Sequence, residues 1–146
     1  VYTRLDNDQL LEDLHEALGR RCTPNSVTDA DRTLASETIR QYGKLEMNSD
    51  VLRCKLYSIL LSAYTILEAT DECENLIGMI LKILPLVKAE QARAGLLVTL
   101  YGCTDSSLDY ERAHEIVERW KKEESPKKSK LRLIRWLDDY DSWLGH

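Results

Sequence analysis

The chain has 146 residues, with 20 Lys and Arg against 25 Asp and Glu and a net charge of −5. Its hydrophobic fraction of 43% and charged fraction of 31% are typical of a globular domain and exclude a disordered or low-complexity chain. A domain of this size buries roughly two-thirds of the surface that its unfolded form exposes. We therefore expect residues 1–146 to form a single domain whose core needs neither metal nor disulfide bonds.

The sequence predicts no membrane segment, because its longest apolar stretch, Leu56 to Leu67, is interrupted by Ser and Thr and is shorter than the ~20 residues of a span. Val1 is not an initiator Met, so we expect a piece of a longer chain. The cysteines are widely spaced, with no Cys-x-x-Cys pair: Cys22, Cys54, Cys73 and Cys103. This spacing favours reduced thiols and hence an intracellular location, in cytoplasm or nucleus.

Three amphipathic helices are predicted in the first half of the chain from apolar stripes and end signals. Gly19 is interpreted as the stop of the first and Gly43 as the stop of the second, while Thr28 and Asp31 form a capping box. The third carries two apolar stripes, which indicates a central, buried helix. The predicted ranges are Asp6–Leu18, Thr28–Gly43 and Ser49–Ala69.

Four further helices follow. Asp71 is expected to cap the fourth with Glu74, Gly102 to stop the fifth, and Ser125 to cap the seventh with Pro126 as its first residue. The predicted ranges are 70–84, 88–101, 107–122 and 126–144. No segment alternates as a half-buried strand does, so the sequence predicts an all-α fold of about seven short antiparallel helices stacked as hairpins.

The helix starts recur with a period of about 37 residues, which indicates a helical-hairpin repeat. The residues that carry the pattern are Tyr57, Leu60, Tyr64, Cys73, Ile77, Ile80 and Pro85, and less regularly Leu97, Tyr101, Ala113, Val117 and Pro126. From Tyr57 to Pro126 the chain resembles a degenerate tetratricopeptide (TPR) repeat. Leu61 and Val98 stand where the family has glycine.

The resemblance implies a short α-solenoid that binds a peptide or a partner helix on the face formed by the first helix of each hairpin. At those positions stand Lys55, Ser58, Ser62, Thr65, Gly95 and Thr99. They lack the Lys and Asn cluster with which some family members hold a C-terminal carboxylate. Small residues permit close approach of another helix, either a partner's or this chain's own seventh.

A strongly basic stretch runs from Arg119 to Arg135, with two acidic residues among eight basic ones. The basic residues are Arg119, Lys121, Lys122, Lys127, Lys128, Lys130, Arg132 and Arg135. The stretch carries +6, so the rest of the chain carries −11. The lysines at the start of the last helix oppose its dipole, which points to either an anion site or a solvated connection.

The tryptophans and two metal-type spacings are candidates for chemistry beyond packing. Trp120 and Trp136 fall on apolar stripes, which favours core packing over base stacking, whereas Trp143 is interpreted as an exposed anchor. Two Glu-x-x-His spacings, ending at His15 and His114, match one element of di-iron bundles, but their glutamates fall on polar flanks. No nucleophile and base pair or glycine-rich phosphate loop is evident, so no enzyme and no cofactor is predicted.

Two roles follow from the sequence. The first is a non-enzymatic interaction or scaffold module that binds a partner helix or peptide or self-associates as a homo-oligomer. The alternative is a nucleic-acid or phosphate-binding adaptor that uses the basic stretch, and its binding would weaken steeply with salt.

Overall fold

The computed structural model describes residues 8–22 and 26–146. Within those ranges the chain forms seven α-helices and one short 3₁₀ helix, and no strand. The elements are α1 Asp8–Cys22, α2 Asp29–Tyr42, α3 Asp50–Ile66, α4 Thr70–Ile83, the 3₁₀ turn Leu84–Leu86, α5 Glu90–Thr104, α6 Ser107–Lys121 and α7 Lys128–Leu144. The predicted fold class is confirmed. The predicted start at Asp6 lies outside the described residues.

Among the described residues, side-chain caps start α2, α3 and α6. The Thr28 hydroxyl accepts from the Asp31 amide, and the Asp31 carboxylate accepts from the Thr28 amide, which completes the predicted capping box of α2. Ser49 and Ser106 accept amide hydrogen bonds at the starts of α3 and α6. These residues satisfy amide donors that have no carbonyl partner within the first helical turn.

Two predicted caps are wrong. Between α3 and α4, Glu68 has a φ of 55°, and α4 begins two residues later at Thr70. Asp71 therefore lies inside α4 and cannot cap it. α7 begins at Lys128 rather than at Pro126, and its preceding residue Lys127 makes no side-chain cap bond.

The glycines predicted to stop two helices lie inside them instead. α1 continues past Gly19 to Cys22, and α5 continues past Gly102 until Asp105 takes a left-handed conformation with φ 53°. A Cβ atom at Gly19 would lie 2.6 Å from the Trp143 ring, and one at Gly102 would overlap the Tyr140 ring. These glycines therefore allow α7 to approach α1 and α5 closely.

The odd-numbered helices form a closed ring. α3 packs against α5, α1 packs against α3, α7 packs against α5, and α7 returns to contact α1. α2 and α4 pack on α3 from outside the ring, and α6 packs on α5 and α7. α3 is the central helix that its two apolar stripes predicted, since Leu56, Ile59, Leu61 and Ala63 are all at most 2% exposed.

No helix in residues 8–22 and 26–146 has both the length and the apolar content required to cross a bilayer.

Candidate functional site

A cavity of about 380 Å³ opens between α3, α5 and α7. Four residues of the predicted partner-binding face line it, namely Lys55 and Ser58 on α3 and Gly95 and Thr99 on α5. Its other walls are mainly apolar side chains, including Leu96, and Leu133 and Trp136 from α7. The structure thus brings together most of the predicted face, with this chain's own seventh helix forming one side.

Ser62 and Thr65, the other two predicted partner-binding residues, are buried at 7% and 5% exposure and do not line the cavity. The Thr65 hydroxyl lies 3.7 Å from the Cys73 sulfur. Both residues lie farther along α3 than Lys55 and Ser58. A partner in the cavity would therefore contact Lys55, Ser58 and Thr99 but not these two.

The rim of the cavity is basic. Asp8 Oδ1 lies 2.6 Å from Arg132 Nη1 and 3.9 Å from Lys55 Nζ, so one carboxylate from α1 contacts both cations. The Arg132 guanidinium also lies 5.3 Å from the centre of the Trp136 ring. Among the described residues, Arg132 Nε and Trp136 Nε1 are buried donors without a hydrogen-bond acceptor.

Most of the basic stretch is neutralised by ion pairs. Five of its eight residues have acidic partners: Arg119 with Glu90, Lys121 with Glu118 and Asp138, Lys130 with Glu123, Arg132 with Asp8, and Arg135 with Glu12. Several of these pairs join different helices, so these side chains contribute to packing. Within residues 8–22 and 26–146, no ion pair is formed by Lys122, Lys127 or Lys128.

Lys127 and Lys128 lie at the N-terminus of α7, as the sequence predicted. Lys130 lies near the same helix end but lies 5.2 Å from the centre of the Trp120 ring and 2.7 Å from Glu123 Oε1. The three exposed lysines without ion pairs are therefore what remains of the predicted anion site.

An aromatic cluster around His15 was not predicted. The His15 ring stacks on Trp136 with centroids 4.7 Å apart and also contacts Tyr140 and Trp143. Trp120 and Trp136 are buried, which confirms their predicted core role, whereas Trp143 is partly buried against α1 and not the exposed anchor expected. The sequence showed only a histidine at the edge of the apolar stripe of α1. The aromatic residues that contact it all lie on α7, far away in the sequence, so the cluster could not be predicted.

His15 is held neutral by its surroundings. Burial lowers its pKa, and the hydrogen bond and charge of Asp139, whose Oδ2 lies 2.9 Å from His15 Nε2, only partly oppose this effect. His15 Nδ1 is buried without a partner in the described part of the chain. The geometry joins α1 to α7 and does not supply an exposed catalytic base.

A second polar cluster joins α5, α6 and α7. The Tyr101 hydroxyl donates to Asp141 at 2.7 Å, and His114 Nε2 lies 2.8 Å from the other Asp141 oxygen. Burial, then the hydrogen bond to Asp141, raises the pKa of the Tyr101 phenol, which is 0% exposed and so remains protonated. This cluster ties the three helices together.

In the described part of the chain, no three His, Cys, Asp or Glu side chains converge as they would around a metal ion. The four cysteines are free thiols, with Cys54 buried and the others partly buried.

Comparisons with models of protein families, with curated proteins and with solved structures find no match to this chain.

Proposed function

We propose that this chain is a non-enzymatic protein-interaction module that binds a partner helix or peptide in the cavity between α3, α5 and α7. The observation that supports this proposal is that Lys55, Ser58, Gly95 and Thr99, taken from the TPR-like pattern, all line one open cavity. Its 380 Å³ lies within the range of ~300–1,000 Å³ that is typical of binding pockets.

The chemistry of the walls favours an apolar anchor with a hydrogen-bond acceptor beside it. An apolar side chain would bury against Leu96 and Leu133. A backbone carbonyl or a carboxylate of the partner would accept from the Lys55 ammonium or the Arg132 guanidinium, the two cations that line the cavity. Val51, which lines the cavity and is 51% exposed, extends the apolar surface at its mouth.

Filling the cavity tests the proposal. A Cβ atom at Gly95 would lie 3.9 Å from Leu133, an ordinary contact, so a side chain can be introduced there without a backbone clash. We expect Gly95→Leu to weaken peptides selected from a display library against the wild-type chain by about tenfold or more, measured by fluorescence anisotropy.

Gly78→Leu is the matched control, because Gly78 lies in α4 with no atom within 4 Å of a Cβ position. It should leave binding unchanged, and circular dichroism should show the same helix content for both variants. Selected peptides that bind Gly95→Leu as tightly as wild type would contradict the proposal.

Self-association is the same proposal with a second copy as the partner. Molar mass from light scattering on a sizing column distinguishes the two cases. A dimer that Gly95→Leu converts to monomer would place a copy of the chain in the cavity, whereas a monomer that binds selected peptides would identify a separate partner.

The adaptor role for nucleic acid or phosphate is the second candidate, and the three lysines without ion pairs support it. Because five of the eight basic residues are already paired, we expect at most weak binding of a mixed-sequence RNA at low salt. Charge reversal at Lys122, Lys127 and Lys128 together should abolish it. RNA binding that survives both this change and high salt would contradict the adaptor role at this surface.

A further inference from the structure

A groove of about 340 Å³ separates α4 and its following 3₁₀ turn from α6. α4 packs on α3 and α6 packs on α5, so the two outer helices leave a gap whose floor is α5. Leu84, Leu97 and Ile116 form the buried apolar part of this groove. Arg93 and Leu97 lie on a different face of α5 from the cavity-lining residues, so the groove is a separate surface.

The edge formed by α4 is apolar and open to solvent. Leu81 lines the groove and is 52% exposed, and Pro85 beside it is also exposed. Leu86, in the same 3₁₀ turn, is 69% exposed. Neighbouring exposed apolar side chains around a concave surface are typical of an interaction site.

Arginines line both the floor of the groove and its opposite edge. Arg93 lies on α5, and Arg112 and Arg119 lie on α6 together with Glu115, the acidic residue among the lining residues. Arg119 pairs with Glu90 and Arg93 donates to the Val87 carbonyl, but Arg112 forms no ion pair with any described residue. Arg112 and Arg119 are seven residues apart on one face of α6, which places them roughly 10 Å apart along the helix.

We propose that this groove binds an acidic amphipathic helix of a partner protein. The apolar stripe of such a helix, at positions i, i+3, i+4 and i+7, would pack on Leu81, Leu84 and Leu97. A carboxylate beside the stripe would pair with Arg112, which forms no ion pair with any described residue. The charge is complementary even though the whole chain is acidic, since its net charge is −5.

A designed peptide pair tests this proposal directly. One labelled peptide carries leucines at i, i+3, i+4 and i+7 with glutamates beside them, and its control carries lysines in place of the glutamates. Fluorescence anisotropy with the whole chain should show binding of the glutamate peptide that weakens as salt rises, and no binding of the lysine peptide.

Two groove variants and two matched controls locate the binding. Leu81→Asp and Arg112→Glu should each weaken the glutamate peptide by about tenfold or more. Leu131→Asp, at a position on α7 that is 50% exposed, and Arg32→Glu, on α2, should leave it unchanged. Gly95→Leu should also leave it unchanged, so the result is independent of the cavity.

Four results would overturn the inference: no binding of the glutamate peptide, equal binding of the lysine peptide, equal loss in the control variants, or loss in Gly95→Leu. A concentration-dependent dimer that Leu81→Asp abolishes would also overturn it, because the groove would then be occupied by a second copy of the chain. Circular dichroism of every variant establishes that the helices are intact.

Discussion

His15 is the residue whose chemistry depends most on its surroundings. Its ring contacts three aromatic side chains of α7, and it is 7% exposed. Burial lowers its pKa from the ordinary value of 6.5, against the raising effect of Asp139. In the unfolded chain this constraint disappears and the imidazole protonates normally.

The lowered pKa predicts that acid destabilises the fold. As pH falls below 6.5 the unfolded chain binds a proton that folded His15 resists, so the free energy of unfolding falls until the folded form also protonates. We expect His15→Gln to lose less stability than wild type between pH 7.5 and pH 5.5, because glutamine binds no proton in this range. Urea unfolding at the two pH values measures this difference.

The quantity to compare is the change in the free energy of unfolding with pH. The free energy at a single pH is not informative, because His15→Gln also removes packing against Trp136. Asp139→Asn is a useful companion variant. It removes the group that raises the pKa of His15, so the loss of stability on acidification should extend to lower pH than in wild type. An unchanged slope in His15→Gln would show that other groups dominate the acid response.

Helix α7 approaches α1 and α5 closely at two glycines, Gly19 and Gly102. At Gly102 an added Cβ would overlap the Tyr140 ring, whereas at Gly78 on α4 it would meet no atom within 4 Å. Gly78 and Gly102 both lie inside helices, where alanine is favoured by the backbone. The difference between them is therefore the packing of α5 on α7.

These two glycines should respond oppositely to alanine. Gly78→Ala should raise the free energy of unfolding by about 0.5–1 kcal/mol, through the higher helix propensity of alanine. Gly102→Ala should lower it by about 1–3 kcal/mol, because the Tyr140 ring must shift within a packed core. Urea unfolding of the two variants checks both signs. A stabilised Gly102→Ala would show that α7 does not pack as described.

The glycines also explain where sequence reasoning succeeded and failed. Local signals located the start of α2 at Thr28, the start of α3 at Ser49 and the end of α7 at Leu144, because a cap involves atoms a few residues apart. Gly19 and Gly102 have the same local signature as a helix stop. Their actual role depends on rings more than thirty residues away in sequence, which periodicity cannot reveal.

The candidate sites also combine features that the sequence predicted with features that depend on residues far apart in the chain. Lys55, Ser58, Gly95 and Thr99 could be placed on one surface from the resemblance to a tetratricopeptide repeat. The ion pairs of Arg132 with Asp8 and of Arg135 with Glu12 could not, since they depend on α7 meeting α1. The groove between α4 and α6 was also missed, because it arises where two outer helices fail to pack.

At the scale of the whole molecule, the contact between α1 and α7 sets this chain apart from an open solenoid. In an open array each hairpin contacts only its neighbours, so damage at one end stays local. Here the first helix contacts the last one, while α1 also packs on α3 and α7 on α5. The two ends of the chain therefore share one core, which includes Leu14 and Leu137, both at most 1% exposed.

Leu14→Ala tests whether this ring unfolds as one unit. Removing the side chain should lower the free energy of unfolding by about 2–5 kcal/mol, the usual cost of a buried leucine. We expect native-state hydrogen exchange to show the same loss in α6, which packs on α5 and α7 and belongs to the opposite end of the chain. Leu86→Ala, at 69% exposure, is the control and should change neither stability nor exchange by more than about 0.5 kcal/mol. If protection fell in α1 and α2 while α6 kept its wild-type value, the helices would be behaving as an open array, and the contact between α1 and α7 would contribute little to the stability of the rest.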